Sequence, residues 1–216
     1  HVQELKDYIQ EQEDEDFDKS SMHVLAGLTR LRQICNAPYL LKTGYDKAYS
    51  SKISMLMKQI ELLNPKHKIL VFSQFVGMLE LIQEQLEEKS IAYELLTGGT
   101  TNRKAKVDRF QQQAEVRVFL ISLKAGGTGL NLTEADYVFL VDPWWNPAVE
   151  NQAIDRCYRI GQTKQVMAIR LICSNSIEEK IRKIQEKKNQ LALDLLHVED
   201  KSVKKLGKKG LIELLS

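Results

Sequence analysis

Residues 68–72, Lys-Ile-Leu-Val-Phe, contain four consecutive apolar residues in a short run. A strand in a parallel sheet has this pattern, because helices cover both faces of the sheet and leave no solvent-facing side. An amphipathic helix is predicted next, from Val76 to Lys89, and a second strand follows from Ile91 to Leu96. Strands and helices alternate in this way along residues 66–175. The sequence therefore predicts an α/β fold with a doubly wound parallel sheet flanked by helices.

The remaining elements of the predicted sheet follow at short intervals. They are a polar helix over residues 101–113, strands over Val116–Ile121, Ala135–Val141 and Val166–Cys173, and a helix over Pro147–Tyr158.

Both flanks of this region are expected to be largely helical. The run from Glu11 to Asp18 is acidic and repels itself, so we expect a linker there. Ser176 begins a capping box that opens a long amphipathic helix. The predicted parts are an acidic helix end and linker (1–20), a helical N-terminal segment (21–65), the α/β lobe (66–175), and a packing helix with a basic tail (176–216).

The charge of the chain is unevenly distributed. The net charge is +2, but residues 1–20 hold eight acidic and two basic side chains, which leaves 29 basic against 21 acidic side chains, or +8, in the remainder. A basic body suits a polyanionic partner, since phosphate contacts need Lys and Arg. A solvated surface that happens to be basic is the alternative.

Composition narrows the class of protein further. The hydrophobic content of 43% is ordinary for a globular protein, and no apolar run approaches the roughly 18 residues of a membrane span. The three scattered cysteines suggest neither a disulfide framework nor a metal site. We therefore expect no membrane partner and an intracellular location, nuclear in a eukaryote and cytoplasmic or nucleoid-associated in a bacterium or archaeon.

The segment Glu150–Val166, ENQAIDRCYRIGQTKQV, carries the strongest chemical signal. At 100° per residue, Gln152, Arg156 and Arg159 fall within an arc of about 60° on the helix that this segment predicts. Guanidinium groups bind phosphate oxygens in a bidentate fashion, so this face suits a polyphosphate. The alternative is that the two arginines form surface salt bridges with acidic neighbours.

Three other segments place polar or aromatic residues after predicted strands. Ser122–Leu132 is glycine-rich, and glycines let backbone amides approach an anion, although a plain tight turn is as consistent. Asp142–Pro147 holds both tryptophans of the chain, whose rings should point to opposite sides of an extended backbone. Ser73 and Gln74 end the first strand, where ligands bind in open α/β sheets. Ordinary turns and buried rings are the alternatives.

Together these segments resemble the motifs of superfamily-two helicases. Residues 150–162 are similar to motif VI in its Swi/Snf form, which ends in Arg159-Ile160-Gly161-Gln162, and residues 122–132 are similar to motif V. The matching motifs extend from about Leu25 to Leu195, and their order is more specific than any one of them. The chain is thus identified as similar to the C-terminal, second RecA-like lobe of a Swi/Snf-family DNA-dependent ATPase.

The resemblance implies a role for individual residues. Arg156 and Arg159 would act as arginine fingers on the γ-phosphate of ATP, with Gln152 in support. Tyr158 and Ala37 stand where many relatives have histidine. DNA contacts are implied for Ser73, Gln74, Thr97, Gly98, Ser122, Lys124, Thr128, Trp144 (favoured over its neighbour) and Trp145, and nucleotide contacts for Gly127 and Gly129.

Two motifs of a complete ATPase are missing from the sequence, which has no Gly-x-x-x-x-Gly-Lys-Ser/Thr loop and no Asp-Glu-x-His-type box. ATP with Mg²⁺ would then be held mainly by an N-terminal RecA-like lobe, and the chain alone would be inactive. The resemblance implies a motor on double-stranded DNA that moves or remodels a DNA-bound protein. A strand-separating helicase lobe and a non-catalytic nucleic-acid-binding module are the alternatives.

Overall fold

Five parallel strands form one sheet in the part of the chain that the structure, a computed structural model, describes. This part comprises residues 2–11, 14–42, 44–47, 50–63, 65–126, 129–158, 162, 164–191 and 207–215. The strands are β1 (Ile69–Ser73), β2 (Tyr93–Leu96), β3 (Val118–Ser122), β4 (Tyr137–Leu140) and β5 (Met167–Arg170). Their order in the sheet is β2-β3-β1-β4-β5, which confirms the predicted doubly wound parallel sheet.

Helices follow most of the strands and form both flanks. They are α1 (Val2–Glu11), α2 (Asp14–Asn36), α3 (Ser51–Leu62), α4 (Val76–Glu88), α5 (Arg103–Gln112), α6 (Leu123–Gly126), α7 (Pro147–Ile154), α8 (Ile177–Leu191) and α9 (Gly207–Leu215), with a 3-10 turn at Pro38–Leu41.

The two faces of the sheet pack into two separate apolar cores. Successive side chains of a strand point to opposite faces. Accordingly, Leu70 and Phe72 of β1 join a cluster with α5 and α7, whereas Ile69 and Val71 join a cluster with α3 and α4. All four side chains have no exposed surface. Burial on both faces explains why the run that predicted β1 contains no polar position.

A third apolar cluster joins the helices outside the sheet, which we call the helical flank (α1, α2, α8 and α9). Its buried residues include Leu5, Leu28, Ile181 and Leu211, one from each helix. At Gly27 of α2, a Cβ atom would come within 2.7 Å of the Leu5 side chain. Glycine at this position therefore allows α1 to pack closely against α2.

One expectation about the flanks is wrong. The acidic run at residues 11–18, expected as a linker, is helical from Asp14 onward. Packing of Val24 and Leu28 holds the later turns of α2, and each further helical residue then adds one backbone hydrogen bond. The basic tail ends in α9, whose Leu211, Leu214 and Leu215 are buried in the helical flank. Residues 192–206 lie outside the described part of the chain.

A buried ion pair connects the helical flank to the sheet. Lys52 of α3 contacts the carboxylate of Glu178 at 2.6 Å, and both side chains are at least 96% buried. The ammonium also donates to Asn36 Oδ1 at 3.0 Å and to the carbonyl oxygen of Val141 at 2.6 Å. Burial raises the pKa of Glu178, and the charge of Lys52 opposes that rise. The Lys52 ammonium group therefore holds α3 together with the end of α2, the residue after β4 and the start of α8.

Replacing Lys52 with methionine is expected to lower the free energy of unfolding by about 3–5 kcal/mol at neutral pH, since Glu178 becomes an unpaired buried charge. Because the folded-state pKa of Glu178 is raised, the penalty is fully present above that pKa. The penalty is lost as the pH falls through the folded-state pKa of Glu178 toward the ordinary glutamate pKa near 4.3. Urea denaturation of the chain at a series of pH values between 7 and about 4.5 measures both effects.

Two variants serve as controls for this prediction. Lys58→Met removes an exposed lysine from the same helix and should change stability by less than about 0.5 kcal/mol. The double variant Lys52→Met/Glu178→Gln removes the unpaired buried charge and should recover most of the lost free energy of unfolding. Equal destabilisation in the double variant would contradict the ion-pair explanation.

Candidate functional site

The carboxyl edge of the sheet, at which the strands end (Ser73, Leu96, Ser122, Leu140 and Arg170), has Asp142 at its centre. Strand order reverses between β1 and β4, and a crevice at such a point is where open α/β sheets bind ligands. The Asp142 side chain is buried there. Ser73 donates its hydroxyl to Asp142 Oδ2, and Gln74 donates its backbone N–H at 3.2 Å and its amide at 2.8 Å to Oδ1. Asp142 therefore holds the ends of β1 and β4 together.

Arg32 of α2 reaches the same place from the helical flank. Its guanidinium lies 4.0 Å from Asp142 Oδ1 and donates a hydrogen bond to the carbonyl oxygen of Pro143. The guanidinium carbon lies 5.6 Å from the centre of the Phe75 ring and 5.5 Å from that of Trp145. The sequence analysis did not single out Arg32. A charged residue beside the apolar stripe of Leu28 and Leu31 was the signal that could have found it.

Both tryptophans are buried, with 5% of Trp144 and 8% of Trp145 exposed. Trp144 belongs to the core shared with α5 and α7, whereas Trp145 belongs to the core of the helical flank. The expectation that the rings point to opposite sides is confirmed. The expectation that one ring is exposed to contact DNA is wrong, because each ring fills a different apolar core.

The backbone around Trp144 is fixed by Glu150, a buried carboxylate that the sequence analysis did not identify as structural. Glu150 Oε1 accepts hydrogen bonds from Trp144 N at 2.8 Å and from the Gln185 amide at 3.0 Å. Its other oxygen accepts from Arg170 Nε at 2.9 Å. Gln185 also donates to the carbonyl oxygen of Trp144. This carboxylate therefore joins α7, β5 and α8 around the tryptophan segment.

Helix α7 begins as predicted, with the Asn146 side chain accepting from Ala148 N at 3.0 Å and Pro147 at the first helical position. It ends at Ile154 rather than Tyr158. Beyond that point the chain turns, because the Arg156 carbonyl oxygen accepts from Leu132 N at 3.1 Å.

The earlier end of α7 changes the predicted arginine face. Gln152 is exposed, whereas the Arg156 side chain is 5% exposed and packs inside its own lobe. The angle of 100° per residue applies only within a continuous helix, so the predicted common face of these two side chains is wrong. Arg159 lies outside the described residues.

The glycine-rich segment begins on the same carboxyl edge. Ser122 ends β3 and is buried opposite Ser73, its partner in the strand register. Lys124 is exposed on α6, and Gly129 is exposed with a φ of +51° that favours glycine. Gly127 and Thr128 lie outside the part of the chain that is described.

The loop after β2 also belongs to this edge. Thr97 N donates to Thr100 Oγ1 at 2.9 Å, which closes a tight turn. Thr97 is half-buried and Gly98 is exposed, with no atom within 4 Å of where its Cβ would be. Because the strands are parallel, Gln74, Thr97, Gly98 and Lys124 all follow strand ends at one edge. Ser73 and Ser122 lie beneath that surface, which contradicts the expectation that their hydroxyls contact DNA.

A family model described as the helicase conserved C-terminal domain matches residues 51–161. The chain belongs to this family. The matched residues run from the start of α3 through the turn after α7, so they contain β1 to β4, the segment identified as motif V and all but the last residue of the segment identified as motif VI. Among the described residues, no helix combines the length and apolar composition needed to cross a bilayer.

Solved structures place the chain in the Swi2/Snf2 branch of the family. It matches the Sulfolobus solfataricus SWI2/SNF2 ATPase C-terminal domain with a TM-score of 0.78 and 31% identity, covering 99% of this chain and 88% of that one. It also matches the core of that ATPase in complex with dsDNA, with a TM-score of 0.79 and 32% identity over 99% of this chain and 45% of that one. The RecA-like C-terminal lobe is therefore the fold of this chain.

A curated relative agrees with this placement. The chain is 44% identical over 163 residues to the ATP-dependent helicase rhp16 of Schizosaccharomyces pombe, a match that covers 73% of this chain and 19% of that protein. The chain thus spans about a fifth of the length of this relative. The chain corresponds to the C-terminal lobe of a Snf2-family ATPase.

Proposed function

We propose that this chain is the second motor lobe of an ATP-dependent translocase on double-stranded DNA. In this proposal it completes an ATPase site whose nucleotide cradle lies on an N-terminal lobe. The observation that carries the proposal is the motif VI segment, which begins within α7 in a chain of the Swi2/Snf2 branch whose sequence has no Gly-x-x-x-x-Gly-Lys-Ser/Thr loop. A lobe that supplies arginine fingers but has no phosphate-binding loop acts on a nucleotide that another lobe binds.

Arg159 is the first candidate for the arginine finger. Arg156 packs within the lobe, and its carbonyl oxygen holds the Leu132 backbone, so this residue is suited to fixing the turn that precedes Arg159 in the sequence. Gln152 is exposed on α7 and is suited to contacting the nucleotide from the side. Lobe closure would bring these groups to the γ-phosphate, where a finger stabilises developing charge.

The magnesium ion of the ATP complex would be held by the partner lobe. Asp142 is the carboxylate at the switch point of the sheet, but Ser73 and Gln74 use both of its oxygens. It therefore fits an internal role rather than the octahedral oxygen coordination of Mg²⁺. Gly127 and Gly129 stay predictions for the nucleotide side of motif V.

DNA binding is proposed for the exposed part of the carboxyl edge. Lys124 offers an ammonium group, and Gly98 offers a backbone that a phosphate can approach without hindrance. Gln74 and Thr97 follow strands at the same edge and are half-buried. These groups suit contacts to phosphate rather than to base edges, so binding should depend little on sequence. Thr128 stays a prediction of the same kind, and the protein displaced by such a motor would be one bound to DNA.

Replacing Arg159 with alanine in the two-lobed parent protein is expected to lower the DNA-stimulated kcat for ATP roughly 1,000-fold or more, the usual range for a finger. The affinity for duplex DNA should stay within about twofold, because the finger acts on the nucleotide. Steady-state ATPase assays and DNA-binding titrations measure the two quantities.

Arg182→Ala is the matched control for the loss of a guanidinium group, since Arg182 lies on α8 and pairs with Glu186 one turn away. It should leave kcat nearly unchanged. Full DNA-stimulated turnover in the Arg159→Ala variant would remove the basis for the finger assignment.

Replacing Lys124 with alanine is expected to weaken duplex binding for every sequence alike. The loss of one phosphate contact should also reduce the slope of log K against log salt by about 1. Fluorescence anisotropy with a labelled duplex at several salt concentrations measures both changes. Lys58→Ala, which removes an exposed lysine from α3, is the control and should change neither. An unchanged slope for Lys124→Ala would place the DNA elsewhere.

A further inference from the structure

Cys35 and Cys173 line one cavity between the end of α2, the start of α3 and the segment after β5. The cavity has a volume of about 420 Å³ and also contacts Pro38 and Ser54. Both cysteines are partly exposed, whereas Cys157 is buried in the core. A cavity of this size admits water and small polar molecules to the two thiols.

The two sulfur atoms are close although the residues lie 138 positions apart in the sequence. Their Sγ atoms lie within 4.8 Å of each other, and the Cys173 thiol donates to the carbonyl oxygen of Cys35 at 3.1 Å. A disulfide bond has a length of about 2.05 Å, so the sulfurs must approach by less than about 3 Å. Rotation about the Cα–Cβ bonds moves a sulfur atom by a distance of this order.

Glu178 is the third potential ligand near the two sulfurs, but both of its oxygens are already used. One contacts Lys52 at 2.6 Å, and the other accepts from Cys173 N at 3.0 Å. Two thiols alone are an incomplete ligand set for a structural metal ion, which takes four ligands. The cluster therefore presents a dithiol rather than a metal centre.

The surroundings make the two thiols unequal. A hydrogen bond between the side chains of the two cysteines lowers the pKa of Cys35 and is the largest influence on it, and the charge of Lys52 acts in the same direction against burial and Glu178. The same hydrogen bond, together with burial, raises the pKa of Cys173. Because the thiolate is the nucleophile, Cys35 is the residue that reacts first.

We propose that Cys35 and Cys173 are a redox modification site, in which a hydroperoxide oxidises the pair to a disulfide that ties the end of α2 to the segment after β5. The site uses none of the residues proposed to contact DNA or ATP, so it does not depend on the motor function.

The oxidation proceeds in two balanced steps. The Cys35 thiolate attacks one oxygen of the hydroperoxide, so that an S–O bond forms and the O–O bond breaks, and the leaving alkoxide or hydroxide takes up a proton. Cys173 then loses its proton, and its sulfur attacks the sulfenic acid sulfur of Cys35. The S–S bond forms, the S–O bond breaks, and hydroxide leaves as water with that proton. Two thiols are oxidised and one hydroperoxide is reduced.

The test treats the complete parent protein with hydrogen peroxide, then denatures it, alkylates the free thiols and digests it with trypsin. Cys35 and Cys173 lie in the peptides 33–42 and 171–180, which mass spectrometry should find linked and which dithiothreitol should separate. Cys157 provides an internal control, because burial raises its pKa to about 12 and it should be recovered as the alkylated thiol.

Serine variants distinguish the two roles. In Cys173→Ser, Cys35 should stop at the sulfenic acid, which dimedone traps, while Cys35→Ser should leave Cys173 unoxidised at the same peroxide dose. The absence of the linked peptide from the wild-type protein would overturn the proposal. Equal oxidation of Cys157 would also overturn it, since it would mean that the cavity confers no selectivity.

Discussion

The hydrogen bonds of Asp142 are the constraint on which the carboxyl edge depends. A buried carboxylate must be hydrogen-bonded, and this one uses Ser73 and both donors of Gln74, with Arg32 nearby. These contacts fix β1 against β4 where the strand order reverses, and they bring α2 to the same place. In many α/β proteins a ligand occupies such a crevice. Here the protein fills it with its own polar groups.

That arrangement determines which parts of the edge remain available to other molecules. Glu150 holds the backbone at Trp144, so the segment after Asp142 turns its rings into two cores instead of toward solvent. The exposed groups are those of the loops after β2 and β3, such as Gly98 and Lys124. The buried layer of this edge is fixed by hydrogen bonds, and the loops that cover it are exposed. Such an edge suits a lobe that moves as a unit, because its surface would keep its shape while the lobe closes on a partner.

Local sequence patterns predicted those elements that depend on interactions between residues close together in the sequence. The apolar run at Ile69–Phe72 identified β1, and Asn146 with Pro147 identified the start of α7. The end of α7 was missed because it depends on the contact between Arg156 and Leu132, which are distant in sequence. The tryptophans were placed wrongly for the same kind of reason, since Gln185 of α8 fixes Trp144 across 41 residues. Family resemblance identified the family and the fold of the lobe correctly, but it could not distinguish contact residues from buried supports.

In the proposed function, ATP is held mainly by a partner lobe, so turnover would require that lobe. The most direct test is the steady-state ATPase activity of the isolated 216-residue chain at saturating duplex DNA, beside the two-lobed parent in the same assay. The account predicts DNA-stimulated turnover by the parent and no turnover by the chain above the protein-free background. DNA-stimulated ATP hydrolysis by the isolated chain would contradict it.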